Sequence, residues 1–308
     1  MAPLAGLSAS GVSRSSMLQI RGCLMSVELS PVVAARAEGN SAFSVRSVDL
    51  HALGHWASPV AALDHFRVRG RPFPPHPHAG FSAVTYVFED SKAALRSRDS
   101  LGDDVIVGPG GIVWTEAGRG VLHEELPASD GELHGLQIFV NLSAKNKLAE
   151  PRMLRLAKSD VPELRTDAGD RVRVVVGTYE QRSSPLVPLE PFTLLDVELN
   201  WSVAFNFPDA CTALVYVLDG ELLVRAGERG ERVAGEHAVA MHGAGHVALE
   251  AVRFAHFVLL AGAAIREPAI THGPFIMNGM PEIEAAVARY RAGEMGRLAP
   301  LSEEGTPT

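Results

Sequence analysis

The chain has few cysteines and no cluster of basic residues. Its 308 residues contain two cysteines, Cys23 and Cys211, which are too few for a disulfide framework and belong to no C-x-x-C pair. This usage favours a reducing, cytoplasmic compartment. The 28 Lys and Arg residues are outnumbered by 36 Asp and Glu residues, and no basic run is present that could follow a phosphate backbone. Direct nucleic-acid binding is therefore not expected.

Long apolar segments are also lacking. The longest, from Phe254 to Ile265, is interrupted by His256 and is too short to span a bilayer, so we interpret it as a buried strand and predict no membrane association. The segment Met1–Leu24 carries two arginines, many serines and no acidic residue. A transit peptide has a similar composition, but this segment is only weakly amphipathic. We therefore interpret residues 1–26 as a disordered leader.

Helical periodicity is rare, whereas short Val, Ile, Leu and Phe segments separated by Gly, Pro and Asp are frequent. One series of such segments ends near Leu142 and a second begins near Val172, with a polar stretch between them. Two series of short, regularly spaced strands indicate a duplicated β-barrel or sandwich. We predict an all-β fold with an N-terminal domain over residues 27–145 and a C-terminal domain over residues 146–308.

The C-terminal end departs from the strand pattern. Pro281 suits the first turn of a helix, and Ile283, Ala286, Val287 and Tyr290 follow helical spacing on one face. This spacing predicts a helix over residues 281–292, ended by the glycines that follow it.

Two short pairs of polar residues are the most informative feature of the chain: His76-x-His78 and His123-x-Glu125. Side chains at positions i and i+2 of a β-strand point to the same face, so each pair can direct both its members to one point. Taken alone, the first pair fits a proline-rich surface loop, and the second fits a rim histidine with a solvated glutamate. Together, three imidazoles and one carboxylate predict a site for a first-row transition metal.

These ligand types suit iron, manganese, nickel, copper or zinc, and they leave one or two positions of an octahedral ion free for a substrate oxygen or dioxygen. A catalytic site is therefore favoured over a purely structural one. Among the other histidines, His134 is interpreted as a core-edge residue, with a hydrogen bond to a metal ligand as the alternative. His242 and His246 have ligand spacing only on a helix, which Gly243 and Gly245 disfavour, so no metal is predicted there.

Both pairs lie within longer motifs that follow one another along the chain. The motifs are HPHAGF (76–81), RDSLG (98–102), VWT-x-AGRG (113–120), LH-x-ELP (122–127), HGLQ-x-x-VNL (134–142) and HGPF-x-MN (272–278). In this order they resemble the signature of the pirin family, a branch of the cupins.

The resemblance implies a bicupin, with two double-stranded β-helix (jelly-roll) barrels, a metal in the N-terminal barrel and none in the C-terminal barrel. In the family the metal is usually iron, held by residues that match His76, His78, His123 and Glu125.

The chain departs from the family pattern at three positions. Pirins usually carry Arg, Glu and His where this sequence has Ala79, Ser82 and Ser97. We expect these changes to remove polar and charged groups near the pocket and to alter the substrate, while the four metal ligands are retained.

Some pirins resemble quercetinases, which open flavonols with dioxygen. By this likeness we predict an Fe(II) dioxygenase that acts on a flavonol or a related phenolic, with Glu125 as both metal ligand and general base. The alternative is a metal-binding protein that regulates transcription or a metabolic enzyme through contact with a protein partner. A third hypothesis, a storage or sugar-isomerase cupin, is disfavoured because His123 lies far beyond Gly110.

Overall fold

The computed structural model of the protein describes residues 27–40, 42–71, 73–208, 210–299 and 301. Strands predominate over helices in these ranges, which confirms the predicted all-β class. The predicted leader, residues 1–26, lies outside the described residues. None of the described helices is both long and apolar enough to cross a bilayer.

The strands and helices are numbered in chain order. The strands are β1 (Glu28–Leu29), β2 (Val33–Ala34), β3 (Arg36–Gly39), β4 (Phe43–Ser47), β5 (Val60–Val68), β6 (His76–His78), β7 (Phe81–Val87), β8 (Leu95–Asp99), β9 (Asp104–Val107), β10 (Ile112–Glu116), β11 (Val121–Pro127), β12 (Leu133–Asn141), β13 (Arg152–Leu156), β14 (Glu163–Arg165), β15 (Arg171–Val176), β16 (Thr178–Tyr179), β17 (Arg182–Ser183), β18 (Phe192–Leu199), β19 (Ser202–Phe207), β20 (Cys211–Ala226), β21 (Arg229–Ala234), β22 (His237–His242), β23 (Gly245–Ala263), β24 (Ile270–His272) and β25 (Phe275–Met277). The α-helices are α1 (Leu50–Leu53) and α2 (Met280–Arg291), and short 3-10 helices cover Gly54–Ala57 and Lys158–Asp160.

Contacts divide the chain into two compact units. One comprises Glu38–Val45, Asp64–Lys158 and the segment from Arg266 onward, and we call it the histidine unit because it contains both predicted ligand pairs. The second unit comprises the segment up to Ala37, Arg46–Leu63 and Ser159–Ile265. The sequence predicted a single division between residues 145 and 146, whereas the compact units interleave several segments of the chain.

In the histidine unit, a larger sheet has the strand order β13-β10-β7-β12-β5-β4-β3, and a smaller sheet has the order β6-β11-β8-β9. Strand β7 is buried along its whole length, as expected for a central strand of β-branched and aromatic residues. One apolar cluster contains side chains from both sheets, among them Phe66, Val87, Leu95, Val113 and Leu133. The two sheets thereby have a common apolar core from which the smaller sheet presents its histidines.

The C-terminal segment belongs to the histidine unit because its apolar side chains pack beside the first histidine pair. Ile283 and Ala286 of α2 are buried with Phe275 and Met277 of β25 against Ala79, which directly follows His78. Helix α2 forms where the sequence predicted a helix over 281–292, with proline in its first turn. This packing explains why the end of the chain belongs to the histidine unit.

A buried lysine and a constrained glycine hold the turn after His78. Lys147 is 2% exposed, and its ammonium donates hydrogen bonds to the carbonyl oxygens of Gly80 and Ile276 and to Oδ1 of Asn141. These three acceptors satisfy a cation that is costly to bury unpaired. Gly80 has a φ of +83°, and a Cβ at this position would overlap the carbonyl oxygen of Ile276. Only glycine fits this close approach without displacing the β25 backbone.

Replacement of Gly80 tests this close approach. We predict that Gly80→Ala lowers the free energy of unfolding by about 3 kcal/mol, because it adds a steric overlap to the strain of a positive φ. The control is Gly102→Ala, since Gly102 also has a positive φ but no atom within 4 Å of the added Cβ; its expected cost is about 1 kcal/mol. Denaturant unfolding measures both, and equal costs for the two variants would contradict the prediction.

The second unit is built on one sheet with the order β1-β22-β20-β23-β18-β15-β14, to which β2, β19 and β21 add at the sides. Strand β20 runs without a break from Cys211 to Ala226, and its register against β23 shifts at two points. Alternate residues such as Val215, Val217, Phe257 and Leu259 form its apolar core. The bulges let one strand bend without ending, and a linear pattern does not distinguish this from a turn.

A charged cluster is buried on neighbouring strands of the second unit. Arg173 and Asp196 are opposite each other in the β15–β18 register, with 3.5 Å between Arg173 Nη1 and Asp196 Oδ2. His256 Nε2 donates to Asp196 Oδ1 over 2.7 Å. Burial lowers the pKa of His256, but this hydrogen bond and the charges of Asp196 and Glu198 outweigh burial, so the pKa is raised above its ordinary value of 6.5.

The raised pKa makes the stability of the protein depend on pH. Because the folded pKa exceeds the unfolded one, the pair of protonated His256 with Asp196 stabilises fully below about pH 6.5, and the contribution is lost as the pH rises through the folded pKa. We expect the stability difference between the wild type and His256→Gln to be larger near pH 5.5 than near pH 8.5. Unfolding curves at both values measure it, and a difference independent of pH would refute the assignment.

Candidate metal centre

Strand pairing brings the two predicted ligand pairs together. Strand β6 is antiparallel to β11, with His76 opposite His123 and His78 opposite Val121. The proline-rich approach thus becomes a true strand at the histidines, so His76 and His78 project from the same face. On its other side β11 pairs with β8, which places Ser97 opposite Glu125.

The three histidines converge as expected. One ring nitrogen from each of His76, His78 and His123 lies within 4.8 Å of the others. The Nε2 atoms of His76 and His123 are 3.2 Å apart. His78 and His123 are 4% and 2% exposed, so two of the three donors are shielded from water.

Hydrogen bonds on the opposite side of two rings set which nitrogen is available. Nδ1 of His76 donates to the carbonyl oxygen of Pro74 over 2.9 Å, and Nδ1 of His78 faces the carbonyl oxygen of Pro274 at 3.5 Å. A proton on Nδ1 leaves the Nε2 lone pair for a cation, as is usual for metal-binding histidines. Nδ1 of His123 is buried without a hydrogen-bond partner among the described residues.

The electrostatic setting keeps His78 and His123 neutral. Burial, followed by repulsion from His76, lowers the pKa of His78 to about 3. Burial also lowers the pKa of His123 well below 6.5, with His78 and His76 adding to the effect. Neutral imidazoles are the form that binds metal ions. With the proton of each ring on Nδ1, three Nε2 lone pairs converge on one point, so this donor set fits a divalent metal ion.

Glu125 lies beside the histidines but outside the group within 4.8 Å. Its Oε2 accepts a hydrogen bond of 2.5 Å from Thr85 Oγ1, and its Oε1 accepts one of 3.4 Å from Ser97 Oγ. Burial raises the pKa of Glu125 to about 7, against the opposing effect of these two hydroxyl donors. The role of Glu125 as the fourth ligand stays a prediction, and a cation beside it would favour the ionised carboxylate.

The histidines and Glu125 line one cavity of about 780 Å³, a volume that includes solvent at its mouth. The wall is mostly apolar, with Phe43, Phe66, Phe73 and Phe139 among its aromatic members. Polar groups in the wall include Asp64, Thr85 and Gln137. A wall of this character suits a small organic molecule held by a few directed polar groups.

The sequence patterns did not identify Thr85 and Gln137 as site residues. Thr85 lies within a β-branched segment that indicated only a central strand, and Gln137 lies in an alternating strand. The two are opposite each other in the β7–β12 register, which the sequence does not disclose. Ser97 was noted only as a departure from a family pattern.

The side chain of His134 makes its polar contacts with Asp90 and His65 and not with the three clustered histidines. Its Nδ1 donates to Oδ1 of Asp90 over 2.7 Å, and its Nε2 is 2.7 Å from Nε2 of His65. Strand alternation places it on the face of β12 opposite Gln137. The interpretation of His134 as a buried core-edge residue agrees with its 7% exposure.

Comparison with known proteins identifies the family. The family model for pirin matches residues 36–140, and the model for the pirin C-terminal cupin domain matches residues 194–296. Human pirin is 32% identical over 281 residues, which cover 89% of this chain and 95% of the human protein. The chain belongs to the pirin family. The predicted bicupin organisation is thereby confirmed.

Solved structures show the same fold. The crystal structure of quercetin 2,3-dioxygenase from Acinetobacter baumannii has a TM-score of 0.77 at 25% identity, covering 88% of this chain and 98% of that protein. A bacterial pirin from Escherichia coli, crystallised in complex with nickel(II), has a TM-score of 0.59 at 18% identity, covering 77% of this chain and 99% of that protein. The second likeness concerns the fold alone.

Metal content tests the ligand assignment directly. We predict that His123→Ala weakens Fe(II) binding by more than tenfold, because it removes a buried donor, and that Glu125→Ala also weakens it. The matched control is His256→Gln, which changes a histidine of the second unit and should leave bound iron unchanged. Metal analysis by mass spectrometry after anaerobic loading gives the result. Unchanged iron in both site variants would show that the assignment is wrong.

Proposed function

We propose that this pirin is a metal-dependent dioxygenase that acts on a flavonol or a related phenolic substrate with dioxygen. The observation that carries the proposal is the convergence of three imidazoles at the wall of an apolar, aromatic-lined cavity that Glu125 also lines. The likeness to the Acinetobacter quercetin 2,3-dioxygenase along nearly all of that chain supports it.

The proposed ligands are His76, His78, His123 and Glu125, and the proposed metal is Fe(II). Nickel, copper, manganese and zinc accept the same nitrogen and oxygen donors, so the ligand set alone does not choose among them. When bound, such an ion supplies a Lewis acid for a substrate oxygen and, if iron, a redox partner for dioxygen.

The protein residues account for binding and proton transfer. The aromatic and aliphatic wall holds the flat body of a phenolic compound and excludes water from the reacting end. Glu125 accepts the proton of the substrate hydroxyl at a carboxylate oxygen, since it is the carboxylate that borders the histidines within the cavity. Thr85 and Ser97 keep that carboxylate in place through their hydroxyl groups.

The alternative function is regulation through contact with a protein partner. This function does not require an open cavity beside the metal. An open, mostly apolar cavity next to the histidines therefore favours an enzyme. For the compartment we propose the cytoplasm, consistent with Cys211 being a free, buried thiol.

Oxygen uptake tests the proposed activity. We predict that protein loaded anaerobically with Fe(II) consumes dioxygen with quercetin, with loss of the flavonol absorbance. Glu125→Gln should lower the turnover number by about 10²- to 10⁴-fold, the usual contribution of a general base. Lys145→Ala is the control, because this exposed residue does not line the cavity. The absence of uptake with any flavonol or catechol would remove the enzymatic proposal.

A further inference from the structure

Thr85 stands at the centre of a short chain of polar side chains in the cavity wall. Its Oγ1 is 2.5 Å from Oε2 of Glu125 and 2.8 Å from Oε1 of the Gln137 side-chain amide. Thr85 is 1% exposed, and Gln137 is opposite it on β12. All three side chains line the cavity that contains the histidines.

The number of protons in this chain fixes its direction. A threonine hydroxyl has one proton, so Thr85 cannot donate to both Glu125 and Gln137. A carboxylate only accepts hydrogen bonds, whereas an amide group has two protons to donate. When Glu125 is ionised as a metal ligand, the arrangement therefore runs from the Gln137 NH₂ group to Thr85 Oγ1 and from the Thr85 hydroxyl to Glu125, which turns the Gln137 amide over from the orientation with Oε1 toward Thr85. The amide orientation follows from this network, as side-chain amides are assigned.

In this arrangement Thr85 bonds to the NH₂ group of Gln137, so the carbonyl oxygen of Gln137 has no hydrogen bond to Thr85. Because Gln137 lines the cavity and is only partly buried, that oxygen is the acceptor it offers to a ligand. A carbonyl oxygen binds a hydroxyl donor and gains nothing from an ether or a methyl group. Thr85 therefore determines which atom of the Gln137 amide is available to a ligand, namely the carbonyl oxygen.

We propose that Thr85 is a positioning residue for Glu125 and that Gln137 determines specificity by accepting a hydrogen bond from a second hydroxyl group of the substrate. The inference rests on the proposed function and narrows its substrate class. The preferred ligand is an aromatic compound with two hydroxyl groups, one giving its proton to Glu125 and the other bonding to Gln137.

Metal binding tests the role of Thr85 without any turnover. Thr85→Val keeps the shape of the side chain but removes the hydroxyl, and we expect Co(II) affinity to fall about tenfold with a changed visible absorption spectrum. Thr85→Ser restores the hydroxyl and should restore both properties. Thr115→Val is the matched control, since Thr115 is equally buried in the same sheet and its hydroxyl has no hydrogen-bond partner among the described residues.

Ligand binding to the Co(II)-loaded protein tests the role of Gln137. Calorimetric titration with catechol and with phenol should show tighter binding of catechol to the wild type. Gln137→Leu should weaken catechol binding about tenfold, the usual effect of one lost hydrogen bond, and should leave phenol binding unchanged.

The outcomes separate the inference from the function on which it rests. Equal Co(II) affinity and spectrum in the wild type and Thr85→Val, or no recovery in Thr85→Ser, overturns the positioning role. Catechol binding that is insensitive to Gln137→Leu overturns the specificity role. A wild-type protein that binds no Co(II) overturns the proposed function itself, and that result is obtained before any variant is compared.

Discussion

Nε2 of His76 and Nε2 of His123 face each other at 3.2 Å across the β6–β11 pair, and the design of the histidine unit depends on this contact. Burial keeps His123 neutral by lowering its pKa, with repulsion from His78 and His76 adding to the effect. A neutral ring retains one proton, and when that proton is on Nδ1 the Nε2 lone pair is available to a cation. The burial that disfavours the charged imidazolium therefore favours the form of the ring that binds a metal ion.

The contact must be maintained by a strand of only three residues. Strand β6 follows a proline-rich segment and is followed by Gly80, so it has little backbone structure of its own. Its support comes from far along the chain: Lys147 bonds the carbonyl oxygens of Gly80 and Ile276, and α2 packs against Ala79. The C-terminal segment is therefore part of the histidine unit.

The sequence was sufficient to predict that the members of each pair point in a common direction. It was not sufficient to predict which side chains surround them. The i, i+2 spacing of His76 and His78 predicts a common direction because it depends only on strand geometry. The hydrogen bonds from Thr85 and Ser97 to Glu125 depend on register between strands that are distant in sequence. Register is set by packing of the whole sheet, so a single sequence indicates the candidate ligands but not the groups that orient Glu125.

The departures from the family pattern have different consequences once their positions are known. Ala79 packs against α2, and Ser82 lies opposite Glu116 on the face of β7 away from Thr85, so neither position belongs to the wall of the cavity. Glu116 is fully buried and already pairs with Arg152, and a second acid at position 82 would face it as a like charge.

These changes therefore do not strip polar groups from the cavity, contrary to the expectation from sequence. Ser97 is different, because its hydroxyl is 3.4 Å from Oε1 of Glu125. A hydroxyl is smaller than an imidazole and brings no charge to the carboxylate. Any change of substrate relative to other pirins is thus to be sought where Ser97 meets Glu125.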